Sequence, residues 1–208
     1  MKLKVNYEAM VQELWDRDAV RDCVARYCRG MDRFDRELVL SAFHPDALEE
    51  HGKFVGNPVE FVDWAIDQHA QSHLSHQHYM LNHRSEIEGD TAHAETYFLF
   101  VSMNKQGKPW TMGGGRYLDR LERRDGHWAI AARVTVRDTG LIDDRPEMHD
   151  LTAFTSTRST LSDDVRAFMQ AGLGPKRDQT DPSYMRPLTV DPARAEAFRR
   201  IDQKVRKA

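Results

Sequence analysis

Several features are scarce in this chain, and each scarcity excludes a class of protein. Only two of the 208 residues are cysteine, Cys23 and Cys28. They lie five residues apart inside one helical segment, a spacing that suits neither a disulfide nor a metal-ligand pattern. They read as buried thiols. No apolar run approaches the roughly 18 residues that cross a bilayer. The opening residues Met1–Tyr7 lack the apolar stretch of a secretory signal, so a cytoplasmic address is the expectation. Charge of one sign is also missing. The net charge of −3 gives no basic field to draw nucleic acid.

What remains is ordinary for a globular chain, with 40% hydrophobic and 30% charged residues. Its length suits one domain plus an extension, since a single core is usually built from about 100–200 residues. Histidine is the unusual component. There are ten, and several crowd into residues 69–83.

Hydrophobic periodicity divides the chain into helices first and strands afterwards. Leu14, Val20, Val24, Tyr27 and Met31 recur at helical spacing and predict a helix over Tyr7–Met31, with Arg17, Asp18, Arg21 and Asp22 on its other side. Asp35 reads as the N-cap of a short helix through Phe43, stopped by His44-Pro45. Asp46–Val55 suits a short strand, and Asn57-Pro58 opens a third helix that runs to about Ser72. Four strands follow, over Ser75–Glu88, Thr91–Asn104, Trp110–Arg123 and Trp128–Asp138, joined by hairpin turns such as Gly89-Asp90 and Asp125-Gly126. This order predicts an α+β fold, in which a curved antiparallel sheet wraps about three helices and leaves a cavity between the layers. Residues 1–140 form that domain. Residues 141–208 are too poor in apolar side chains to hold a core alone, and read as a C-terminal helical extension that packs on the domain or on a neighbouring subunit.

Two segments carry candidate chemistry. Asp32 is an acid at a helix C-terminus, where the dipole disfavours it. It is either a solvated surface acid or an acid turned inward toward a histidine. His76, His78, Met80 and Asn82 alternate along one strand and so share a face. That face is either an exposed polar surface or the wall of a polar pocket. His69 and His73, spaced i, i+4, could join His76 and His78 around Zn²⁺. The first pair ends a helix while the second sits on a strand, so nothing in the spacing fixes them on one centre.

The run Arg26-Tyr27-Cys28-Arg29-Gly30-Met31-Asp32-Arg33-Phe34-Asp35, followed by Ala42-Phe43-His44-Pro45-Asp46-Ala47, resembles the opening of SnoaL-like (nuclear-transport-factor-like) proteins. His78-Tyr79-Met80-Leu81-Asn82 is similar to their histidine strand. Gly114-Gly115-Arg116-Tyr117, Glu122–Trp128 and Arg133 resemble their last hairpin. The resemblance covers about residues 10–140 and leaves the tail outside.

Members of this superfamily include hexachlorocyclohexane dehydrochlorinase, scytalone dehydratase and bile-acid 7α-dehydratase. Others close polyketide rings, move a proton as isomerases, or serve as non-catalytic small subunits, and some lose formaldehyde as well as water. The resemblance implies a cone fold and a lyase that uses no metal or organic cofactor. It also implies a small hydrophobic substrate, aromatic or cyclic, and a homo-oligomer, trimer or dimer. Carried over by position, Asp32 and His78 form a proton-abstracting dyad. Tyr27 assists at an oxygen, and Arg133 steadies developing negative charge unless it is a structural salt bridge to Asp32 or another acid. His76, Asn82 and Tyr117, with Trp64 from the third helix, are the expected substrate contacts. Gly113 and Gly115 either widen the pocket or relieve sheet curvature.

Overall fold

The computed structural model describes residues 6–106 and 110–142, together with 163, 164, 167, 178–180, 193, 197 and 200. The backbone separates into two compact units, 1–146 and 147–208. In the second unit, residues 163, 164, 167, 193, 197 and 200 are helical, within the two helices expected there. The packing expected of that extension lies outside the described residues.

The first unit begins with helix α1, Tyr7–Arg33. The Asn6 side chain caps it by accepting the Ala9 N–H, and it ends on Phe34 in the left-handed conformation (φ 53°). The core-facing stripe is Val20, Cys23, Val24, Tyr27, Cys28 and Met31, all buried. Leu14 does not belong to it, because it is 66% exposed on the half of the helix that runs past the core. Helix α2, Arg36–Leu40, follows at once with Asp35 as its N-cap. Gly30 permits this tight corner. A β-carbon there would lie 2.5 Å from a Val39 methyl and 2.9 Å from its backbone nitrogen.

The second helix stops at Leu40 rather than at Phe43, because strand β1, Phe43–His51, has already begun. Pro45 disfavours helical geometry at His44, and the last strand captures the segment through an Ile130 N–H bond to the Ala42 carbonyl. β1 pairs with the short β2, Phe54–Gly56. Helix α3, Pro58–Ser72, starts on Asn57, whose side chain accepts the Glu60 N–H. Then comes the meander: β3 His73–Glu88, β4 Thr91–Asn104, β5 Trp110–Arg124 and β6 His127–Ile142.

The six strands form one open sheet in the order β2-β1-β6-β5-β4-β3. The expected antiparallel sheet is therefore corrected at one ladder, since β1 runs parallel to β6. Register shifts between Met80 and His83, and between Gly114 and Gly115, mark bulges. Bulges bend and twist a sheet locally, as wrapping around helices requires. Buried Asp16 ties α1 to the last hairpin by accepting from Trp128 Nε1 at 2.8 Å and Arg123 Nη1 at 2.9 Å.

Candidate active site

Asp32 lies in the last turn of α1 and meets β3 directly. Its two carboxylate oxygens each accept the His78 backbone N–H at 3.0 Å, and Oδ1 accepts from His78 Nδ1 at 2.6 Å. The helix end that disfavours this acid is thus offset by three donor contacts from one residue. Both side chains are nearly enclosed, at 5% exposure for His78 and 12% for Asp32. A carboxylate on Nδ1 fixes the histidine tautomer and leaves Nε2 as the lone-pair nitrogen. His76 supports the pair from the same strand face. Its Nε2 donates to the Met31 carbonyl at 3.1 Å and stands 3.7 Å from Asp32 Oδ1.

Tyr27 sits one turn and a half earlier on the buried face of α1, with its ring 6.2 Å from that of His78. Burial holds its phenol protonated, with a pKa raised well above the ordinary value. Tyr117 packs edge-on to Tyr27 at 5.3 Å and stacks on Phe98 at 4.4 Å. Burial raises its pKa as well. Trp64 lies further out, stacked on Phe54 at 5.2 Å and 6.1 Å from Phe61, which in turn stacks on Tyr27.

Asn82 is the residue the structure removes from this face. The bulge between Met80 and His83 inserts an extra residue, so parity inverts and Asn82 becomes exposed. His83 takes the inward position instead, its Nδ1 bonded to Thr96 Oγ1 at 2.8 Å.

Arg133 is buried and makes a bidentate pair with Asp119, Nε to Oδ1 at 2.6 Å and Nη2 to Oδ2 at 2.8 Å. The acid is therefore Asp119, not Asp32. The guanidinium also lies over the rings of Tyr27 and Tyr117, at 4.3 and 4.4 Å.

Four residues near these groups, Glu49, His51, Thr135 and Phe100, escaped the sequence reading. Glu49, fully buried on β1, accepts from His51 Nδ1 at 3.1 Å, and Thr135 Oγ1 completes the group. Burial holds His51 neutral, its pKa pushed down to about 3, with the charge of Arg133 adding to the effect. The local pattern concealed Glu49 and His51. Alternation along β1 places Ala47, Glu49 and His51 inward and sends Leu48 outward, against the polarity of the residues. Phe100, the cross-strand partner of His78, packs on its ring at 4.9 Å.

The histidines gather more closely than their spacing indicated. The ligand atoms of His69, His73 and His76 lie within 4.8 Å of one another, as do those of Asp32, His76 and His78. However, the His69 and His76 rings stack face to face at 4.3 Å and 19°. In-plane lone pairs of parallel rings do not meet at one point, so a tetrahedral ion would require one ring to turn.

A surface cleft of about 900 Å³ runs between Leu14, Arg17, Asp18 and Arg21 of α1 and residues 81 and 83–88 of β3. It contains none of the groups around the dyad except His83.

An open curved sheet wrapped on a few helices defines the nuclear-transport-factor-like cone class. Within that class the chain belongs to the SnoaL-like domain family, which it matches over residues 12–134. It is similar in fold to LinA-type3 hexachlorocyclohexane dehydrochlorinase from Novosphingobium barchaimii, with TM-score 0.61, 18% identity, and coverage of 67% of this chain and 98% of that one. A scytalone dehydratase candidate from Novosphingobium aromaticivorans gives TM-score 0.58 at 14% identity, covering 68% and 97%. A protein of unknown function from Mycobacterium tuberculosis gives 0.54 at 25% identity, covering 62% and 75%. No curated protein matches the chain by sequence. No helix among the described residues is long and apolar enough to cross a membrane.

Proposed function

We propose that this protein is a cofactor-independent lyase that eliminates water from a small apolar, aromatic or cyclic substrate. The observation that carries this reading is the 2.6 Å bond between His78 Nδ1 and Asp32, which leaves Nε2 as a base inside the fold. A neutral imidazole is a weak base. The carboxylate stabilises the imidazolium that forms, and positioned general bases of this kind contribute about 10²–10⁴-fold. The rings of Tyr27 and Phe100 flank His78, with Phe61 stacked behind Tyr27, and suit an apolar or aromatic substrate. The similarity in fold to a dehydrochlorinase and to a dehydratase candidate agrees with an elimination.

β-Hydroxypropiophenone is a suitable probe, because its ketone acidifies the α-proton and loss of water gives a conjugated enone that is followed by absorbance. Asp32→Asn and His78→Ala should fold normally and each lose about 10²–10⁴-fold in turnover. A rate like wild type in either variant would sink the dyad mechanism.

A further inference from the structure

Three neighbouring strands carry a buried row of charge-bearing side chains. Asp119 on β5 is the register partner of Arg133 on β6, and Arg133 is the register partner of Glu49 on β1. Residues paired across strands point to the same face. All three are buried, Glu49 completely.

Arg133 spends Nε and Nη2 on Asp119, so that pair is neutral as a unit. Glu49 is then a second carboxyl beside a cation already matched. Its Oε1 accepts from His51 Nδ1 at 3.1 Å and from Thr135 Oγ1 at 3.5 Å. Two atoms of the row, Glu49 Oε2 and Arg133 Nη1, are buried without a hydrogen-bond partner among the described residues. An orphaned buried polar atom costs about 1–3 kcal/mol, and such atoms are rare in native proteins. Two of them on register-paired residues require a common explanation. Arg133 lies beside Tyr27, whose ring is 4.3 Å from the guanidinium and 6.2 Å from the His78 ring, and the Glu49 carboxyl acts electrostatically on the same phenol.

We propose that Glu49 is the general acid of the site and that Arg133 Nη1 holds the departing oxygen beside it, so the leaving group is a hydroxyl rather than a halide. The proposal rests on the lyase reading and specifies its other half. Burial supports it by raising the Glu49 pKa well above the carboxylate range, an effect the Asp119 charge strengthens. With Oε1 occupied as an acceptor, the proton belongs on Oε2, the oxygen that has no hydrogen-bond partner among the described residues.

The step balances. His78 Nε2 takes the substrate proton and the C–H electron pair becomes the new double bond. The C–O bond then breaks toward oxygen, and that oxygen takes the Glu49 Oε2 proton to leave as water. An imidazolium and a carboxylate remain, and solvent returns the proton from one to the other as product departs. Chloride, which leaves as a stable anion, would have no use for the Glu49 proton.

The test compares β-hydroxypropiophenone with β-chloropropiophenone, which give the same enone. In Glu49→Gln the ratio of hydroxyl to chloride kcat/KM should fall about 10²-fold or more, whereas His78→Ala should slow both together. An unchanged ratio in Glu49→Gln overturns the acid assignment. If wild type eliminates from neither probe, the lyase reading itself falls and the acid loses its task. A carbon-13 titration of glutamate-labelled protein decides the acid separately. One carboxyl, assigned by its absence from both Glu49→Gln and Glu49→Asp, should stay protonated at neutral pH. A Glu49 that is ionised there overturns the proposal whatever the turnover.

Discussion

Replacing Asp119 by asparagine keeps the shape of the buried pair and removes its negative charge. Arg133 then stays buried with no ionised partner on that side, left with a neutral amide and the faces of Tyr27 and Tyr117 at 4.3 and 4.4 Å. Removing one partner of a buried ion pair costs about 3–5 kcal/mol, and cation–π contact at desolvated sites returns about 2 kcal/mol at best. Glu49 supplies the rest of the response. It is the register partner of Arg133 on the opposite side from Asp119, so the unmatched guanidinium lowers its pKa and draws it into ionisation.

The sign follows from linkage. In wild type the Glu49 pKa is raised in the folded state, so its protonated form favours folding at low pH and that contribution is lost as pH rises. In Asp119→Asn the folded-state pKa is lower, so this loss ends sooner. The deficit of the variant is therefore greatest in mild acid and narrows as pH rises. We expect about 3 kcal/mol in acid, or about 6–12 °C in Tm for a unit of this size. Urea unfolding at several pH values, with an unchanged m-value, measures it. The double variant Asp119→Asn/Glu49→Gln should lose the pH dependence and be less stable than additivity predicts. A deficit below about 1 kcal/mol that does not change with pH would refute the coupled row.

Other outcomes follow from the same geometry. His51 is held neutral with a pKa of about 3, against an ordinary value of 6.5, so its contribution to stability is present above about pH 6.5 and is lost as pH falls toward 3 at up to about 1.4 kcal/mol per pH unit. The stability difference between wild type and His51→Gln should show that limb in urea titrations, and a difference that does not vary with pH would contradict it. Gly115→Ala places a β-carbon 2.1 Å from the Val136 carbonyl oxygen, whereas at Gly113 the nearest atom is 3.7 Å away. The first should cost about 1–3 kcal/mol in thermal unfolding and the second little. Dialysis against a chelator should leave turnover intact. Activity lost with bound metal and restored by stoichiometric zinc would move the chemistry to the His69, His73 and His76 cluster.

The meander and the three helices were legible because their signals are local: alternation, turn glycines and caps at Asp35 and Asn57. Asp32 and His78 were legible only as a pair, since each alone suits a solvated surface. What escaped depends on pairing between distant segments. The parallel β1–β6 ladder has no local signature, and the bulge after Met80 inverted the parity that placed Asn82 inward. Glu49 was hidden by an inversion of polarity, an acid inside and Leu48 outside, of the kind that functional sites impose on a strand. Arg133 was legible as a cation with work to do, but only the sheet register shows that Asp119 occupies most of it.

The central claim is that His78, oriented by Asp32, removes a proton from carbon. Exchange of α-hydrogen for deuterium in propiophenone, which has no leaving group, isolates that step. In deuterated buffer wild type should speed exchange about 10²-fold or more over His78→Ala, with Asp32→Asn similarly impaired. Exchange by His78→Ala at the wild-type rate, or no exchange above background by wild type, would contradict the account.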